Sequence, residues 1–547
     1  MQPETVNSDS AGEAEDLVDI LFSVHRRLRG RLRGCWQRGI PWSVAMAMHT
    51  ILFCTSKVSA EWPQAAGPNH NYQTTGHAVT EFSVSRDQHV LWRMPLPNTG
   101  ESTPVIANGC LFVTCHTPMT EDAQPGRDTY GFCFDARTGQ ERWRRILPAV
   151  RVTDMASGFS DNTAASAVTD GQYVCFVNVG GSVSTFNLSG ELIWQHRWVP
   201  FGRHHARQQE PILFEGMVIF LRTAAADLPA TATTKDGAKP FGRAEEYWTK
   251  LHAFDLITGE LKWVADAGTS VHSLSMLNRT ADGSPCILTG RGGGHQPPEE
   301  PYGLSLLDAR TGQTLRELPI AGYAAHQNAV WRGNQAAAFV GMQHQLINLN
   351  TGQVDSARSL TEEIQLRRWS DGRYVNGGDS LTGDPKRQRP TTYHTNCLVG
   401  DYHYFRTHNE FLLGRVQLST SRLEYLQVPV QVVRNAEQET LLWDRAIEND
   451  VRNNDGFVVC QDARAKLNGW GHVSAASPIV VGDYLYMPTM TGVVYVVRWN
   501  AEKLDETALV SISDLGPAGQ TWTLSSLAYS EGRLYARTLK ELICLGE

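Results

Sequence analysis

The sequence predicts an all-β fold, a closed propeller of eight four-stranded antiparallel blades. Three observations carry this. A ten-residue hairpin recurs in near copies, eight strand-turn-strand starts follow one another from residue 104 to residue 532, and 48 glycines punctuate 547 residues without a low-complexity tract. Length alone would suggest three or four domains, but a repeat array overrides that expectation.

The hairpin reads Phe134-Asp-Ala-Arg-Thr-Gly-Gln-Glu-Arg-Trp143, then Phe254-Asp-Leu-Ile-Thr-Gly-Glu-Leu-Lys-Trp263, then Leu307-Asp-Ala-Arg-Thr-Gly-Gln-Thr-Leu-Arg316. Its Asp can accept hydrogen bonds from the backbone just ahead of it, and its Gly can take the positive φ of a tight connection. The Trp is expected to pack its outer strand against the next blade. Degraded copies occur at Phe186–Trp194 and Ile347–Gln353.

Two further strand signals flank a Gly turn ahead of each hairpin, so a unit holds four strands, as a propeller blade does. The starts are Pro104, Ala165, Pro211, Leu274, Asn328, Asn396, Pro478 and Leu527. The last unit has only about three strands, and the segment Phe82 to Leu96 can supply the fourth and close the ring, leaving no open sheet edge. Seven blades remain an alternative if Ala324–Val354 is a partial one.

These units resemble the PQQ-type β-propeller repeat over residues 80–547, and Glu61-Trp-Pro-Gln-Ala-Ala-Gly-Pro-Asn69 resembles the opening of exported propellers from planctomycete-type bacteria. The resemblance implies either a quinoprotein dehydrogenase holding PQQ and calcium or a non-enzymatic scaffold similar to the BamB lipoprotein. Fold alone does not choose between them. The dehydrogenase reading requires two adjacent cysteines against the quinone, and the chain has none, nor a Cys-x-x-Cys-His haem motif. PQQ is therefore not expected, and the leading reading is a non-catalytic scaffold. Cys54 is preceded by Phe53, which does not fit a lipid attachment site.

The formal charge of −8 gives no basic footprint for nucleic acid. Residues 1–60 read as an export segment: arginines 26, 27, 29, 31, 33 and 38, an apolar run from Ile40 to Cys54, then Val58-Ser59-Ala60 with cleavage expected before Glu61. The apolar run is short for a membrane span of about 20 residues, so membrane contact is expected only if this segment is retained. Residues 61–79 then form a linker and 80–547 the propeller. The protein is expected in the periplasm or secreted, as a monomer.

In an up-and-down blade, the connections between blades share one face with the loops joining second to third strands. The long insertions Pro118–Tyr130, Thr223–Tyr247, Gly292–Pro301, Asp355–Pro390 and Arg434–Gly471 all fall there, and such a face is where a rigid scaffold carries function. His272, His326, His394 and His472 lie at inner-strand starts of four successive blades, while His116, His295, His344 and His408 lie in loops of the same face. The first four make a candidate divalent-metal set, in a layout that resembles metal-dependent propeller lyases acting on acidic sugars. His295 ends the Gly-rich loop Thr289–His295, a candidate binding element. Trp369, Trp443 and Trp470 stand in inserted loops, away from the blade-packing positions, and are candidates for stacking on a sugar. The expected function is thus binding of a protein or glycan partner through this face, the alternative being a metal-dependent polysaccharide lyase or hydrolase on it.

Overall fold

The computed structural model describes residues 61–118, 126–150, 162–198, 200, 210–223, 245, 248–270, 273–292, 299–323, 328–381, 396–407, 411–452, 456 and 476–547. Seven four-stranded antiparallel units follow one another at 105–147, 168–197, 212–264, 276–319, 331–359, 396–427 and 479–514. The eighth consists of Ala528–Ser530, Arg533–Arg537 and Glu541–Leu545, with Val90–Pro95 as its outer strand. The ring is therefore an eight-bladed propeller closed by an N-terminal strand, and the unit at 331–359 is a complete blade.

The recurring hairpin behaves as its chemistry dictates. Asp135 Oδ1 accepts hydrogen bonds from the backbone N–H groups of Arg137 and Thr138, and Asp255 and Asp308 repeat this at their own turns. Each turn then receives a Trp from the preceding blade. The indole of Trp194 donates to Leu256 O at 2.9 Å and lies over Gly259, whose φ is +73°. A Cβ there would meet the indole at 2.6 Å, so both the backbone conformation and the space require glycine.

A second device recurs in the outer strands. Seven of the eight carry a one-residue register shift at the same place, around Leu91, Arg142, Ile193, Lys262, Leu315, Asp355 and Val510. A bulge bends an edge strand and interrupts its row of free N–H and C=O groups, which keeps it from pairing with another chain. Only blade six keeps an unbroken register, from Leu412↔Gln427 to Val416↔Leu423.

The inner strands face the axis, and residues 61–80 run along them. Trp62 pairs with Ile106 of blade one, Pro63 O accepts from Thr169 of blade two, and Gln64 Oε1 accepts from Leu213 of blade three. Further on, Gln73 donates to Leu398 O of blade six, and Gln73–Thr74 pairs in parallel with Val480–Val481 of blade seven. Each contact sits just ahead of an inner-strand turn, so this segment lines one end of the channel and satisfies edge groups that burial would otherwise strand. Toward the other end, hydroxyls link neighbouring blades: Ser526 N–H donates to Thr103 Oγ1, and Thr103 N–H to Ser166 Oγ.

Candidate functional site

Blade six departs from the repeat where its outer strand would bulge. There Glu424 turns inward and meets Arg415 across the strand pair, with Nη2 to Oε2 at 2.7 Å and Nε to Oε2 at 2.9 Å. Both side chains are buried, and the guanidinium also lies over the Tyr402 ring and donates to Tyr404 Oη and Ala501 O. Leu504 N–H donates to Glu424 Oε1. Such saturation is what lets a buried ion pair persist.

The straight edge accepts an extra strand. Gln365–Ser370, from the insertion after blade five, pairs in parallel with Leu423–Gln427, and Arg373–Asn376 pairs antiparallel with it in turn, giving a six-stranded sheet. Asp371 and Gly372, with φ of +50° and +80°, make the two-residue connection, the pair of positive φ angles a type I′ hairpin turn requires. A second insertion, the hairpin of Gln431–Arg434 and Glu439–Leu442, stands between blades six and seven. Arg434 anchors it, reaching Asp514 Oδ2 at 2.9 Å, Glu439 Oε2 at 2.7 Å and Ile512 O at 2.6 Å.

The two insertions meet through Trp369 and Trp443. Their rings stack in parallel at 4.5 Å between centroids and 7° between planes, and Tyr374 stands edge-on to both, at 5.2 Å and 5.9 Å. Gln427 fixes the arrangement, accepting from Trp369 N–H through Oε1 and from Tyr374 Oη–H through its carbonyl. All three rings are half-buried. Because one face of each indole is covered by the other, the pair offers one aromatic edge-and-face surface instead of two separate platforms.

Beside it lies a cleft of about 560 Å³, lined among others by Arg367, Asn376, Asp379, Glu424, Lys503 and Asp505. Arg367 reaches Glu506 with two hydrogen bonds, at 3.1 Å and 2.5 Å, and holds that carboxyl below its usual range. Both signs of charge and amides thus line the cleft, and Arg367 ties it to the aromatic cluster by donating to Tyr374 O, the composition of a surface that recognises polar partners.

Of the residues expected from the sequence, Trp369 and Trp443 are brought together. Trp470, His295, His272, His326, His394 and His472 lie outside the described residues. Two other histidines of that face are described, and both point into the fold. His116 is buried, and His344 Nε2 contacts His403 Nδ1 at 2.9 Å, with His403 Nε2 in turn 3.1 Å from Asn396 Oδ1. Burial lowers His344 to about 4 and His403 well below its ordinary value, so both rings are neutral. Among the described residues no three His, Cys, Asp or Glu side chains cluster closely enough to hold a metal ion, and seven described cysteines are buried. The chain has no adjacent cysteines to clamp a quinone. Among the described residues no helix is long and apolar enough to cross a membrane.

The sequence matches the family described as outer membrane protein assembly factor BamB, over residues 54–199 and 134–354, which together span more than half of the chain. No protein with a curated description matches it. Among solved structures, it is similar to the quinohemoprotein alcohol dehydrogenase from Comamonas testosteroni, at 13% identity and a TM-score of 0.49, covering 89% of this chain and 80% of that one. It is also similar to a europium-containing methanol dehydrogenase, at 10% identity and a TM-score of 0.46 over 89% and 98% of the chains. BamB from Moraxella catarrhalis aligns at 14% identity and a TM-score of 0.34, over 71% and 95%.

Proposed function

Since the chain belongs to the PQQ-type β-propeller repeat family described as outer membrane protein assembly factor BamB, we propose that it is an exported, non-catalytic scaffold that binds a protein or glycan partner through its insertion-bearing face. The single observation that carries this reading is the Trp369–Trp443 stack, where two insertions absent from the regular repeat converge beside a cleft. A repeat needs neither insertion to close its ring, and the straight edge of blade six and the Arg434 anchor hold both in fixed positions. Rigid aromatic anchors beside charged and amide groups bind at low entropic cost. The leader of residues 1–60 supports export, with the mature chain starting at Glu61.

The test is binding of the purified chain to a panel of envelope oligosaccharides and, by cross-linking in the cell envelope, to proteins. Wild type is compared with Trp369→Ala/Trp443→Ala. A partner held by wild type and weakened roughly tenfold or more in the double variant, about 1.4 kcal/mol, supports the reading. Equal binding by both would refute it. N-terminal sequencing of the exported chain tests the leader, with Glu61 expected first.

A further inference from the structure

Between residues 70–73 and the inner strands of blades four to six, the channel holds a cavity of about 150 Å³. Its lining includes four amides, Asn71, Gln73, Asn278 and Asn396, with His70 and Arg332, and among the described residues no Asp or Glu. Asn396 is 3% exposed, and among the described residues its Nδ2 has no hydrogen-bond partner, while its Oδ1 is engaged by His403. A buried N–H donor left unmatched costs about 1–3 kcal/mol, so a partner for it is worth seeking.

His70 adds a second donor. Gln64 Oε1 accepts from Leu213 N–H, which leaves Gln64 Nε2 as the atom 2.7 Å from His70 Nδ1. Nδ1 must therefore accept, and the ring proton sits on Nε2. Burial, helped by Arg279, keeps this ring neutral. Arg332 supplies the charge; one of its nitrogens donates to Gly400 O. Gln73 Nε2 and Asn278 Nδ2 already donate to Leu398 O and Trp331 O, so Asn396 Nδ2, His70 and Arg332 carry the donor character, and with no carboxylate among the described lining residues the local field favours negative charge.

We propose that this cavity binds one small anion, a halide or an oxyanion or carboxylate of one carbon, on Asn396 Nδ2 with charge balance from Arg332. A volume of about 150 Å³ equals roughly five waters at about 30 Å³ each, which admits formate or bromide and excludes gluconate.

The experiment uses the purified propeller in sodium gluconate, exchanged stepwise for sodium formate at constant ionic strength while the unfolding temperature is followed. Crystals are soaked in bromide in parallel. A saturable rise in unfolding temperature with formate, a bromide peak beside Asn396, and half-saturation raised roughly tenfold or more in Asn396→Leu and in Arg332→Met are expected. Arg332 is exposed, so its variant reports even if Asn396→Leu does not fold. No saturable difference between formate and gluconate, or the same half-saturation in Arg332→Met as in wild type, overturns the proposal, and water alone then fills the cavity.

Discussion

Arg415 and Glu424 face each other across the two outermost repeat strands of blade six, with Nη2 2.7 Å from Oε2 and both side chains buried. At this position the other seven blades carry a bulge. The ion pair and the straight edge occur together, and the straight edge is the one that carries two added strands.

Removing one partner of this pair strands the other in the interior. Glu424→Ala is expected to cost about 3–5 kcal/mol and to loosen the hairpin of residues 365–376, seen as faster amide exchange there than in blade three. The exposed pair Arg310–Glu215 is the control, since Glu215→Ala should leave the unfolding midpoint nearly unchanged. Equal effects of the two variants in a denaturant titration would contradict this account of blade six.

The Trp-over-Gly contacts between blades give a second contrast. Gly259 and Gly283 both have positive φ, but a Cβ on Gly259 meets Trp194 at 2.6 Å and one on Gly283 meets nothing within 4 Å. Gly283→Ala should cost about 1 kcal/mol from backbone strain alone. Gly259→Ala adds overpacking, typically about 1–3 kcal/mol more. Chemical denaturation of the two variants measures the difference directly.

Acid should weaken the fold through its buried histidines. His70, His252 and His344 are lowered to about 4, in each case first by burial, and burial also lowers His403 well below its ordinary value. Each therefore binds a proton more readily in the unfolded chain. Their contribution is complete above the unfolded value near 6.5 and is lost as pH falls from there toward 4, by roughly 1 kcal/mol per pH unit for each fully buried ring. Unfolding temperatures measured across that window should fall steeply, and His344→Gln should flatten the slope.

The scaffold reading also expects purified protein without stoichiometric metal, measured by elemental mass spectrometry. One equivalent of Mn, Zn, Fe or Ca, lost in His326→Ala/His394→Ala, would instead establish the metal-dependent enzyme.

The fold was legible because blades repeat their chemistry: Asp135, Asp255 and Asp308 cap their turns, and Trp143 and Trp263 follow Asp135 and Asp255 at one spacing, with Trp194 one residue closer to its turn. The closing strand was legible too, within Phe82–Leu96, though Val90–Pro95 is the part that pairs with Glu541–Leu545 and Val84–Arg86 forms a 3-10 turn. Half of the aromatic site could be anticipated, since Trp369 and Trp443 lie off the blade-packing register. Their mutual stacking could not, because it joins two separate insertions and depends on the side-chain amide of Gln427, 58 residues along the chain from Trp369. The Asp371-Gly372 dipeptide was the overlooked hairpin signal. Nothing in the composition of residues 61–80 announces their course along the channel, because those contacts are mostly to backbone groups of other blades. The missing bulge in blade six was likewise hidden: its turn from Gln417 to Arg422 has the same length as those of blades one, three, four and five.

The central claim is that a partner docks where the two insertions meet. The most direct measurement places a photo-crosslinking amino acid at exposed Arg373, beside the aromatic cluster, and as a control at exposed Ile257 in blade three, with irradiation in the intact cell envelope. The account predicts a discrete protein or glycan adduct from position 373, lost in the Trp369→Ala/Trp443→Ala background and missing at position 257. Adducts of equal yield at both positions, or an adduct at 373 indifferent to the two tryptophans, would contradict it.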